Sequence, residues 1–115
     1  MKDVFEKNKK TCFVLEENKK AVGAYFVADE FNGRAWTWFV AVSSEYRKRG
    51  LGKMIIDVVS KKLKKMGFYR LYSDAELSNS SAINFHLKIG FRIDGIFSDW
   101  YGPGHHSIIF SKELC

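Results

Sequence analysis

Residues 40 to 53, Val-Ala-Val-Ser-Ser-Glu-Tyr-Arg-Lys-Arg-Gly-Leu-Gly-Lys, constrain this chain more than any other stretch. An apolar strand ends, a basic glycine-containing loop follows, and an amphipathic helix begins near Leu51. A helix N-terminus presents unpaired backbone N–H groups and a partial positive charge, a combination that attracts anions. Gly50 and Gly52 let an anion approach the backbone, and Arg47, Lys48, Arg49 and Lys53 surround it with charge. The spacing is R-x-x-G-x-G, which is neither the G-x-G-x-x-G of dinucleotide loops nor the G-x-x-x-x-G-K-S/T of NTPase loops. A phosphorylated ligand is the expected occupant.

Around this loop the pattern alternates between strand and helix. Thr11 to Leu15 and Ala21 to Ala28 read as a hairpin joined by the polar turn Glu16 to Lys20. Asn32-Gly33 marks a tight turn into Arg34 to Val42, where Trp36, Trp38, Val40 and Val42 share one face and Ala35, Thr37, Phe39 and Ala41 the other. Two apolar faces predict a central strand. Leu51, Met54, Ile55, Val58, Val59, Leu63 and Met66 form a helical stripe that stops at Gly67, and Phe68 to Ala75 resumes as a parallel strand. A second helix is expected from Asn79 or Ser80 to Ile89, ended by Gly90 with Phe91 packing back. Phe91 to Phe97 and Ser107 to Leu114 complete the sheet around a glycine-rich loop. The fold class is therefore α+β with a mixed sheet, in the order β-β-β-α-β-α-β-β.

With 115 residues the chain has room for one domain, 1–115, and its 46% apolar content argues against disorder. No apolar run approaches the ~20 residues of a bilayer span, and Met1 to Lys7 lacks a secretory h-region. The chain reads as cytosolic, with no membrane partner, and Cys12 and Cys115 suggest neither a disulfide nor a metal site. The net charge of +6 favours an anionic partner. Lys61, Lys62, Lys64 and Lys65 lie at a helix C-terminus, where cations complement the helix dipole, so nucleic acid is not the expected partner.

A second segment carries a recognisable pattern. Asn79-Ser80-Ser81-Ala82-Ile83-Asn84-Phe85-His86-Leu87-Lys88-Ile89-Gly90-Phe91 matches N-x-x-A-x-x-F-Y-x-x-x-G-F at every named position except His86, where tyrosine is usual. Together with Arg47-x-x-Gly50-x-Gly52, it makes the chain resemble the GNAT family of N-acetyltransferases over roughly residues 11 to 113. The resemblance implies a splayed sheet and acetyl-coenzyme A as cosubstrate. It implies that the backbone of Val40, Ala41 and Val42 pairs with the pantetheine arm and that residues 47 to 53, Leu51 included, hold the pyrophosphate. Asn79 is then an N-cap, a cofactor contact, or both, and Phe85 a core residue or a cofactor contact. Family members also carry a further strand and helices before the first hairpin, for which residues 1 to 10 are too few. A homodimer is one arrangement that would cover apolar surface left there.

The implied reaction is acetyl transfer to an amine by direct attack in a ternary complex. His86 is the candidate to protonate the departing thiolate, water being the alternative. Asp74 and Glu76 are candidate general bases, or binders of a cationic acceptor, since their two-residue spacing in a strand places them on one face. His105 and His106 could reach an acceptor from their loop, and Trp36, Trp38, Trp100 and Tyr101 either line a pocket or pack. A non-catalytic acyl-coenzyme A-binding module and a basic nucleic-acid-binding protein are the rival readings.

Overall fold

The computed structural model describes residues 3–7, 10–30, 32–44 and 51–114. Its elements are β1 (Asp3–Lys7), β2 (Lys10–Glu17), β3 (Lys20–Asp29), β4 (Arg34–Val42), α1 (Leu51–Lys65), β5 (Arg70–Glu76), α2 (Ser80–Lys88), β6 (Arg92–Phe97) and β7 (Ser107–Glu113). They form a seven-stranded sheet in the order β1-β2-β3-β4-β5-β7-β6, with β4 at its centre as its two apolar faces predict. Only β4 and β5 run parallel, as their joining through α1 requires. No helix among the described residues is long and apolar enough to cross a membrane.

The N-terminal segment departs from expectation. Asp3–Lys7 adds a strand, pairing antiparallel with β2 from Asp3↔Val14 to Lys7↔Lys10. Its sequence carries little apolar pattern, and ladder hydrogen bonds need no particular side chains, so the pairing left no periodic signal to read. The turn between β2 and β3 is also tighter than the polar run suggests. Asn18 and Lys19 alone span it, both with positive φ (54° and 64°), the geometry of a type I′ hairpin.

Both helices end where glycine allows. Gly67 and Gly90 adopt φ of 98° and 101°, Phe68 N–H donates to Leu63 O (3.0 Å), and Phe91 N–H donates to His86 O (3.0 Å). These are Schellman stops, which return an aromatic residue to the core and explain why β5 starts at Arg70 rather than Phe68. Inside α1, Ile55, Ile56, Val59 and Leu63 are buried, whereas Met54 and Met66 stay exposed. The apolar stripe is thus centred one position away from its expected midline. These side chains join Phe13, Val27, Leu71 and Phe110 in one core cluster, and both helices lie on the same sheet face.

Alternation along β4 breaks at Trp38. The β3–β4 register steps from Phe26↔Phe39 to Val27↔Thr37, so Trp38 is the extra residue of a β-bulge. A bulge bends its strand and increases local twist. Pairing of β4 with β5 covers Arg34↔Arg70, Ala35↔Leu71 and Trp36↔Tyr72 and stops just before the bulge.

The β2–β3 turn yields a direct test. A left-handed conformation costs an L-residue roughly 1–2 kcal/mol, partly offset in glycine by its greater unfolded-state entropy. Lys19→Gly is expected to stabilise the fold by about 0.5–1 kcal/mol in urea unfolding, and an unchanged midpoint would show that the turn carries no such strain.

Candidate active site

Because β4 and β5 part after three residue pairs, their C-terminal halves enclose a cleft of about 680 Å³. One wall is Val40, Ala41 and Val42, and the other is Ser73 to Glu76. Ile56 and Gly52 from α1, with Asn79, Ala82, Phe85 and His86 from the α2 region, close it from the helix side. Most of the residues singled out from the sequence are therefore brought together. Lys53 lies exposed on the first turn of α1 and does not line the cleft. Arg47, Lys48, Arg49 and Gly50 fall outside the described residues, as does the side chain of Leu51.

Gly52 has a local reason to be glycine. A Cβ there would stand 2.9 Å from Cζ of Phe85, so the bare backbone lets α1 and α2 approach at the end of the cleft. Asn79 is an N-cap, its Oδ1 accepting from Ala82 N–H at 3.1 Å, and it faces the cleft as well. Phe85 is more exposed than a core residue, at 38%, and forms cleft wall.

His86 is held in a way that bears on acid catalysis. Its Nδ1 lies 2.7 Å from Ala82 O, which can only accept, so Nδ1 carries the proton. Nε2 then accepts from Ser73 Oγ at 2.8 Å, and the ring stacks on Phe110 with centroids 4.3 Å apart. Burial lowers its pKa, only partly countered by the Ala82 bond and the charge of Asp74. The lowered pKa and the engaged Nε2 lone pair both favour the neutral imidazole.

The two carboxylates differ. Glu76 accepts from His105 Nδ1 and Ser78 Oγ, both at 3.0 Å, and these bonds, His105 first, lower its pKa. Asp74 accepts from Tyr101 OH and from Ser107 Oγ (3.1 Å). Both bonds fall on Oδ2, leaving Oδ1 without a partner among the described residues. Burial, followed by the Asp74 bond, pushes the Tyr101 phenol up to about 12, so it stays protonated as the donor.

Tyr101, Ser73 and Ser107 gain their place only through the fold. Tyr101 comes from the loop between β6 and β7, whose shape is fixed by its own hydrogen bonds. Gly104 N–H donates to Asp99 Oδ1 (2.8 Å), Asp99 N–H to His106 Nδ1 (2.9 Å), and Tyr101 N–H to His105 O (2.9 Å). His105 and His106 thus brace the loop rather than stand free as acceptor contacts. Cys12 sits in β2, two strands from β4, and burial raises its thiol pKa, the reverse of what a nucleophile needs.

On the sheet face opposite the helices a second pocket of about 670 Å³ adjoins the cleft, and the two share Thr37, Trp38, Asp74 and Tyr101. Asp74 therefore stands on the boundary between two chambers, one between the parted strands and one lined by aromatic side chains. Such a layout suits a two-substrate reaction with a carboxylate at the meeting point.

The chain is 28% identical over 76 residues to the N-alpha-acetyltransferase of Sulfurisphaera tokodaii, covering 65% of this chain and 46% of that one. It is 27% identical over 89 residues to the [ribosomal protein bS18]-alanine N-acetyltransferase of Escherichia coli, covering 77% and 60%. It thus spans about half to three fifths of these relatives. The solved structure of the Escherichia coli ribosomal-protein-S18-alanine N-acetyltransferase shares the fold, with a TM-score of 0.81 at 22% identity over 95% of this chain and 72% of that one. So does a GNAT family acetyltransferase from Elizabethkingia anophelis with acetyl-CoA bound, with a TM-score of 0.83 at 18% identity over 91% and 76%. The family model for the acetyltransferase (GNAT) family matches residues 1–91, and the chain belongs to that family.

Proposed function

We propose that this chain is an N-acetyltransferase that moves acetyl from acetyl-coenzyme A to the α-amino group of a protein N-terminus by direct attack. The parting of β4 from β5, with Asp74 where the cleft meets the second pocket, carries the reading. Two relatives whose names specify N-terminal or alanine acetylation support the acceptor class.

In this reading the backbone of Val40, Ala41 and Val42 receives the pantetheine amides as a further strand. Arg47, Lys48, Arg49, Gly50, Leu51, Gly52 and Lys53 hold the pyrophosphate, and Asn79 and Phe85 border the arm. Gly52 lines the cleft at the first turn of α1, where backbone N–H groups are unpaired, which supports that placement. Acetyl-coenzyme A supplies the activated acyl group.

Asp74 Oδ1 faces the acceptor and takes its proton, while Tyr101 and Ser107 fix the carboxylate through Oδ2. An α-amine has a reference pKa near 8, against about 10.4 for lysine. Deprotonating it is easier by about 2.5 units, roughly 3.4 kcal/mol, which suits a carboxylate base. At the other end of the reaction, a thiol of reference pKa ~8.5 makes a good leaving group without a strong acid. Neutral His86 and Tyr101, with its pKa of about 12, are poor acids, so the thiolate takes its proton from solvent. Both residues then act by positioning.

Asp74→Asn should lower kcat about 100-fold or more and leave coenzyme A affinity in calorimetric titration unchanged; retained turnover would remove Asp74 as the base. Gly52→Val should displace the Phe85 ring into the cleft and weaken acetyl-coenzyme A binding. Wild-type affinity in that folded variant would mean the ring has another place to go. His86 binds its proton less readily folded than unfolded, so its contribution to stability is present above pH ~6.5 and lost as pH falls below it. Unfolding between pH 7 and 5 should show this slope in the wild type and a flatter one in His86→Gln, while equal slopes would contradict a buried neutral histidine.

A further inference from the structure

The second pocket is lined mainly by flat aromatic faces. Trp36 stacks between Tyr72 and Phe97, with centroids 5.7 and 6.5 Å away and planes within 8° and 13°. Trp100 leans on Phe97 at 5.3 Å with a 55° tilt and forms a corner. Glu30 and Arg34 line the same pocket and carry opposite charges, so this end favours no net charge in its occupant. The pocket's volume of about 670 Å³ far exceeds what a methyl group fills.

Its position decides what enters. An acceptor amine held by Asp74 Oδ1 sits on the boundary, with the coenzyme arm occupying the cleft on one side. The substituent on the carbon bearing that amine must then point into the aromatic pocket. Trp100 is 59% exposed and Phe97 43%, so an apolar occupant gains by removing ring surface from water. The hydrogen-bonded loop of residues 99 to 106 presents Trp100 without needing to be ordered first, which lowers the cost of binding.

We infer that this pocket is a specificity site for the first side chain of the acceptor, and that it selects large apolar or aromatic groups over alanine and glycine. The inference rests on the α-amine reading above. A pocket that gains several buried carbons discriminates by about tenfold or more in kcat/KM, since each methylene contributes up to 10–200-fold at best.

The test measures acetyl transfer by the purified chain to peptides differing only in their first residue, Phe, Leu, Ala or Gly, alongside phenethylamine and ethylamine. A Phe and Leu preference of about tenfold or more over Ala is expected. Trp100→Ala, an exposed site that tolerates truncation, should bring the Phe-to-Ala ratio toward one, and Trp36→Ala should do the same from the pocket floor. Equal kcat/KM across the peptides, or a ratio unmoved in both folded variants, would overturn the specificity site while leaving α-amine acetylation standing. Inert peptides with phenethylamine strongly preferred over ethylamine would uphold the pocket and overturn the protein N-terminus as acceptor. No turnover of any amine would overturn both.

Discussion

The separation of β4 from β5 is the constraint on which the rest of this structure depends. A parallel ladder that ran the full length of both strands would close the sheet and leave no cleft. Pairing instead ends at Trp36↔Tyr72, and the bulge at Trp38 on the other edge of β4 supplies the bend that carries the strand away. Below the fork, Tyr25 is buried and its hydroxyl bonds Thr37 Oγ1 at 2.7 Å, which ties β3 to β4 where the strands diverge. That shared bond gives each hydroxyl oxygen a partner at the base of the cleft.

The helices give the cleft its floor. α1 packs Ile55, Val59 and Leu63 against the sheet, and Gly52 lets its first turn meet Phe85 of α2. His86 joins α2 to two strands at once, through Ser73 in β5 and the ring of Phe110 in β7. Its burial and its neutral state have the same origin: a ring enclosed by aromatic neighbours pays heavily for a charge. The features that make it a good wedge are the ones that favour its uncharged form.

On the far side the β6–β7 loop reaches both carboxylates at the end of β5. Glycines and Asp99 with positive φ fold it back so that Tyr101 meets Asp74 and His105 meets Glu76. The loop thereby reaches two carboxylates of the same strand with different groups, a phenol on Asp74 Oδ2 and an imidazole on Glu76 Oε2. It also positions Trp100 beside Phe97, so the hydroxyl that bonds Asp74 and the wall of the second pocket arrive together.

Sequence alone determined the strand and helix order from Thr11 onward, both glycine stops and the Asn79 cap, because each is written in local periodicity or in backbone preferences of single residues. It also drew attention to Asp74, Glu76, Phe85, His86 and the Val40–Val42 edge, which the fold gathers around one cleft. It did not disclose β1, whose pairing depends on backbone hydrogen bonds more than on side-chain pattern, nor the bulge at Trp38, which is a relation between two strands. The protonation of His86, the difference between Asp74 and Glu76, and the aromatic pocket were decided only by tertiary structure. Each is set by partners far away in sequence, Ala82 and Ser78 excepted, and desolvation and hydrogen bonding act through space, where sequence separation carries no information.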